Sequence, residues 1–124
     1  MATTTLGGAD YAAAVAAPGI VLVDVRTARS GSSRAFTAVF EAAARRHPDL
    51  RFAAVDADAE AALAAELGVR SAPTLMVYRD GVLVFAEPGW LPGDSVDLLV
   101  ATVRDLDMAA VVAQYPEPLR RRPG

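Results

Sequence analysis

The sequence predicts an α/β or α+β chain whose helices pack around a single β-sheet. Three observations carry this. Apolar, β-branched runs alternate with stretches whose apolar residues recur at helical spacing. One run, Ile20 to Arg26, has the length and composition of a central strand. Two later runs, Thr74 to Arg79 and Val82 to Ala86, are joined by Asp80-Gly81, a two-residue hairpin connection.

The elements follow in order. Thr3 to Leu6 reads as a short edge strand, and Asp10 to Ala17 as a small alanine-rich helix stopped by Pro18-Gly19. After the Ile20–Arg26 strand, Ser33 to Arg46 places Phe36, Val39, Phe40 and Ala43 on one helical face, with Pro48 as the stop. Arg51 to Ala57 alternates as a strand does. Asp58 is a candidate cap for a helix running to Leu67, with Gly68 as its C-terminal glycine. Beyond the hairpin, Ser95 to Leu106 carries Val96, Leu99, Val100 and Val103 on one face, and Met108 to Gln114 reads as a short extra helix. This makes residues 1–114 one domain and 115–124, rich in proline and arginine, a flexible tail.

At 124 residues with a hydrophobic fraction of 53%, the chain can bury a core without staples. A net charge of −3 gives no electrostatic case for nucleic acid. No apolar run is long enough to span a bilayer. The start, Met1-Ala2-Thr3-Thr4-Thr5, lacks a basic segment followed by an apolar one, so a secretory signal is not expected and a cytoplasmic protein is. There is no cysteine, and the lone His47 has no evident partners for a metal, so neither a metal nor a cofactor is expected.

The strand Val21-Leu22-Val23-Asp24, the turn Ser30-Gly31-Ser32-Ser33-Arg34, the tripeptide Ala72-Pro73-Thr74 and the segment from Val55 to Gly81 together resemble the thioredoxin family. The resemblance covers the chain to about residue 114, and the C-terminal helical segment is similar to that of actinobacterial members. It implies the thioredoxin fold: a central mixed sheet flanked by helices, with a short C-terminal helical extension. It implies a cis peptide bond before Pro73. It also implies a peptide groove formed by Arg29, Gly31, Ser32, Ala72, Pro73, Gly89 and Trp90.

Every departure from the family falls at the reactive site. Its two cysteines correspond to Ser30 and Ser33, and its two tryptophans to Arg26 and Arg29. Its helix proline corresponds to Thr37 or Ala38, and the lysine accompanying the buried acid to Ala54. A hydroxyl cannot form the mixed disulfide on which thiol exchange depends. The catalytic positions Ser30, Ser33 and Asp24 are therefore degenerate. The serines are read as helix caps. A serine nucleophile would need a base, and His47 lies roughly 20 Å off along the helix at 1.5 Å per residue. Asp24 is read as a core acid whose burial raises its pKa, with Ala54 offering no compensating charge. His47 is read as a surface residue near a helix end.

Arg26, Arg29, Arg34 and Trp90 are residue types enriched at binding hot spots. Trp90 is expected to be partly exposed, near the serine turn and Pro73. The expected activity is that of a redox-inactive, peptide-binding or chaperone-like module, monomer or weak dimer, with a protein or peptide client and neither nucleic acid nor membrane as partner. Two alternatives stay open. One is a thiol-disulfide oxidoreductase whose cysteines have been replaced by serine. The other is a chaperone similar to the thioredoxin-like proteins of hydrogenase assembly.

Overall fold

A computed structural model describes residues 3–114; the tail expected from residue 115 lies outside them. The described residues form the strands β1 (Thr3–Thr5), β2 (Ile20–Arg26), β3 (Arg51–Asp56), β4 (Thr74–Arg79) and β5 (Val82–Pro88). These make one sheet in the order β1-β3-β2-β4-β5. β1 and β2 run parallel to β3, whereas β4 is antiparallel to β2 and β5. The sheet is therefore mixed, as expected. The helices are α1 (Tyr11–Ala16), α2 (Gly31–Arg46), α3 (Ala61–Glu66), α4 (Gly93–Arg104) and α5 (Met108–Gln114). None of them is long and apolar enough to cross a membrane.

β2 lies at the centre, and a central strand covered on both faces needs apolar residues at nearly every position. Ile20 to Val25 are all buried, Asp24 included. Alternation sends Ile20 and Leu22 to one face, where Phe36, Phe40, Val96, Val100 and Val103 of α2 and α4 meet them. Val21, Val23 and Val25 go to the other, against Tyr11, Val15 and Leu63 of α1 and α3. There the Tyr11 and Tyr78 hydroxyls share a 2.8 Å hydrogen bond, so neither phenol is buried without a polar partner. Burial pushes the Tyr11 phenol up to about 12. Period two also puts Asp24 and Arg26 on the α2 side of the sheet.

The hairpin turn has Asp80 at φ 53° and Gly81 at φ 82°, the left-handed pair that a two-residue connection between twisted strands requires. β5 runs two residues beyond the expected end because Pro88 still pairs with Thr74. α4 begins at Gly93 rather than Ser95, since the Pro92 carbonyl already accepts from Ser95 and Val96. It ends at Arg104, where the Arg79 guanidinium donates to the carbonyls of Val103, Arg104 and Leu106 at 2.8–3.1 Å. The strand thus supplies the cation that satisfies the open carbonyl end of α4.

Two expectations are corrected here. Asp58 does not cap α3, which begins at Ala61 after Glu60. Its carboxylate is drawn instead to Thr27 and Arg29. His47 is also less a surface residue than expected. It caps the C-terminus of α2, its ring stacks on Phe52, and Nε2 lies 2.8 Å from Asp97 of α4. Arg46 reaches the same carboxylate at 2.9 Å, so the two α2 residues hold α4 in place and lower the Asp97 pKa.

Replacing Arg79 by methionine keeps the aliphatic stem but leaves the end of α4 without its donor. We expect a loss of about 2 kcal/mol in urea denaturation. A loss within about 0.5 kcal/mol, the range of an ordinary surface substitution, would remove this role.

Candidate functional site

The site forms where the loop after β2 turns into α2. Ser30 has extended backbone, and its hydroxyl accepts from the Ser33 amide at 3.3 Å, capping α2 as expected. Ser33 does not cap. It is fully buried, and its Oγ accepts from the Thr27 amide at 2.9 Å. Burial leaves a polar side chain to find a partner inside, and the folded-back loop supplies one. Ser32 is exposed beside Ser30, their hydroxyls 3.0 Å apart. Gly31 is exposed in the same first turn. The hydroxyls of Ser30 and Ser33 thus hold the turn, and no base stands by either of them in these contacts.

The arginines divide by role. Arg26 turns inward rather than toward a groove: its Nε donates to Asp24 Oδ2 at 2.9 Å and its Nη2 to Glu41 Oε2 at 3.2 Å. Its guanidinium also lies 5.8 Å from the Phe40 ring centre. This corrects the view that Asp24 lacks a compensating charge. Ala54 lies opposite Asp24 on β3 and has none to offer, but Arg26, two residues along the same face of β2, does. Burial nevertheless wins. It pushes the Asp24 carboxyl up to about 6, Arg26 opposing through charge and hydrogen bond and the Glu41 carboxylate adding to the rise. Asp24 Oδ1 has no hydrogen-bond partner among the described residues.

Arg29 and Arg34 stay at the surface. Arg29 is 83% exposed and pairs with Asp58 at 2.6 Å. The second Asp58 oxygen accepts from the Thr27 hydroxyl at 2.6 Å. Both contacts keep Asp58 ionised below the usual carboxylate range, the Thr27 bond foremost. Arg34 donates to the Ala28 carbonyl at 2.6 Å.

Across the turn, the Ala72–Pro73 bond is cis. Pro73 is buried, and its carbonyl accepts from the Gly89 amide at 2.8 Å. That bond joins the proline loop to the end of β5 and places Trp90, 49% exposed, one residue beyond it. The carbonyl of Pro73 is therefore occupied, whereas neither backbone group of Ala72 joins any of the loop hydrogen bonds among the described residues. A cavity of about 460 Å³ opens between the turn, α3 and this loop, with Arg29, Ser30 and Ala72 in its wall. Gly89 and Trp90 do not line it. Sequence reasoning missed Ala57, Asp58, Ala61 and Arg70, which do. Short-range pattern carries no sign of them, because they reach the turn only by tertiary contact. Among the described residues no group of His, Asp and Glu is placed to hold a metal.

Comparison with known proteins agrees with this architecture. The family model described as "Thioredoxin" matches residues 2–102. The chain is 42% identical to the protein named "Putative thioredoxin 2" of Streptomyces coelicolor over 73% of this chain and 68% of that one. It is 35% identical to a thioredoxin of Chlamydia muridarum over 68% of this chain and 83% of the relative. A solved structure of a mutant thioredoxin from Halobacterium salinarum superimposes with a TM-score of 0.76 at 27% identity, covering 84% of this chain and 92% of that one. The fold and turn define a thioredoxin-like domain whose reactive turn carries no thiol. The chain belongs to the thioredoxin family.

The Asp24 environment sets a pH dependence. Its carboxyl titrates near 3.8 when unfolded and near 6 when folded, so the folded state holds the proton more tightly. Stability from this group is complete below the lower value and is lost as pH rises through the upper one. Ionisation then costs folding about 3 kcal/mol. The Asp24→Asn variant lacks this loss. Between about pH 4 and about pH 8, its stability in urea should gain about 2.5 kcal/mol relative to the parent. Identical pH profiles would show that Asp24 does not titrate in this range.

Proposed function

We propose that this chain is a redox-inactive thioredoxin-like protein, monomer or weak dimer, that binds a protein or peptide client in extended form at the serine turn and the Ala72–Pro73 loop. The observation that carries the reading is the pairing of an intact backbone cradle with a site devoid of sulfur. Thiol exchange needs a thiolate, and the chain has no cysteine. Ala72 leaves its amide and carbonyl outside the loop hydrogen bonds, beside a cavity and next to a buried proline. An extended segment can pair with such a free edge by strand addition. Trp90, half-exposed one residue after the Gly89–Pro73 bond, supplies an aromatic anchor of the type found at hot spots.

The neighbouring changes favour this reading over an oxidoreductase that has merely exchanged sulfur for oxygen. Arg26 is built into the Asp24 pocket, Ser33 is tied to Thr27, and Arg29 is clasped by Asp58. Arg26, Arg29 and Ser33 stand at positions where this chain departs from the family, and each has a partner of its own.

In an insulin-reduction assay with dithiothreitol we expect the chain to match the buffer blank; turnover above it would defeat the reading. The Ser30→Cys, Ser33→Cys double variant should recover only a weak rate, because Arg26 and Arg29 remain. On the binding side, Trp90→Ala should weaken peptide affinity about 30-fold or more, the consequence of losing an anchor worth about 2 kcal/mol. Unchanged affinity would exclude Trp90 from the groove.

A further inference from the structure

We propose that the groove selects acidic client segments, which set a large aliphatic side chain into the cavity floored by alanine and their carboxylates against Arg70 and Arg34. The inference rests on the peptide-binding reading above and adds the chemistry of the client. Two features of the cavity carry it.

The first is the floor. Ala57, Ala61 and Ala72 each contribute a single methyl group, with Val69 beside them. Small side chains on three different segments leave a hollow of about 460 Å³ where larger ones would fill it. Arg29 and Asp58 line both this hollow and an adjoining one of about 410 Å³, which shares Ala57 and Ala61. The Arg29–Asp58 ion pair therefore lies where the two hollows meet. An apolar side chain entering from a client finds carbon beneath it and an ion pair beside it, with the free edge of Ala72 close enough to take the client backbone.

The second is the charge around the rim. Among the described residues Asp58 is the only acid in the cavity wall, and both its oxygens are engaged, one by Arg29 and one by Thr27. Its charge is thus neutralised within the protein. Arg70 lines the same wall, is exposed, and forms no ion pair among the described residues. Arg34, on the first turns of α2, gives one nitrogen to the Ala28 carbonyl and meets no carboxylate there. Among the described residues, Arg70 in the cavity wall and Arg34 at the adjoining serine turn are thus two positive charges without carboxylate partners, on a chain whose net charge is −3. An anionic client meets attraction at the groove and repulsion over much of the remaining surface, which orients the encounter. A basic client meets the reverse. The ten residues after 114 include three arginines and one glutamate, so the chain's own C-terminal segment has the wrong charge for this rim.

The test is selection from a displayed library of random peptides on the immobilised full chain, followed by calorimetry on the enriched sequences. Enrichment of peptides carrying Asp or Glu next to Leu, Ile or Met is expected. Exchanging their acids for lysine should weaken binding about ten-fold, as two exposed charge pairs of about 0.7 kcal/mol each would. The Arg34→Glu, Arg70→Glu double variant should invert that preference, and Trp90 fluorescence and urea denaturation check that it remains folded. Raising the salt concentration should compress the difference. Enrichment of basic or uncharged peptides would overturn this inference while leaving the groove reading in place, as would a charge preference that the double variant does not change. Failure to enrich any peptide, with no change at Trp90, would overturn both.

Discussion

A carboxylate sealed in the middle of an apolar sheet needs a cation, and Asp24 obtains one from its own strand. Arg26 stands two residues further along the same face, close enough for a 2.9 Å bond, and continues to Glu41 on α2. The strand opposite could not provide the charge, because Ala54 occupies the paired position. The bridge does more than moderate an acid. It ties the end of β2 to the middle of α2 at the point where the chain leaves the sheet. The next residue, Thr27, gives its amide to Ser33, so the turn that shapes the site starts from the residue fixed by this ion pair.

The serine turn is likewise held by few contacts, each with a definite partner. Oxygen in place of sulfur removes a nucleophile and adds a stronger hydrogen-bonding group. Ser30 directs its hydroxyl to the helix end, and Ser33 directs its own to the incoming loop. Thr27 then reaches across to Asp58, and Arg29 closes the same clasp from the other side. The loop after β2 is thereby pinned to the segment leading into α3. What remains open is the Ala72 backbone, the alanine floor beside the clasp and the half-exposed indole of Trp90. The proline loop and the end of β5 are positioned by sheet pairing and by the Gly89–Pro73 bond, neither of which involves the serines, so the absence of sulfur at the turn leaves them in place.

Much of this architecture was legible in the residues. The β2 run, the Asp80-Gly81 hairpin and the α2 stripe of Phe36 and Phe40 are local patterns, and local periodicity decides which side of a strand or helix is buried. The motif around Pro73 indicated the cis bond, whereas the expected groove residues Gly89 and Trp90 lie outside the cavity wall, Gly89 meeting the proline loop through its amide. Element ends were less legible. α4 stops where Arg79, far away in the chain, meets its carbonyls, and β5 extends as far as Thr74 pairs with it. Asp58 had the sequence context of a cap, yet Thr27 and Arg29 compete for its carboxylate and win it.

By itself the sequence determined the order of the elements, the two apolar faces of the sheet and the absence of any sulfur at the turn. These follow from short-range patterning and from chemical identity, which need no coordinates. Only the tertiary structure decided the partner of each charge. Arg26 and Arg29 are equally basic and lie three residues apart, but one is enclosed against Asp24 and the other reaches outward to Asp58. The physical reason is that strand alternation turns Arg26 onto the crowded α2 face, whereas the loop beyond β2 releases Arg29 to the surface. An ion pair is a property of that placement and of the acids the fold brings within reach, some of them a full strand and helix away.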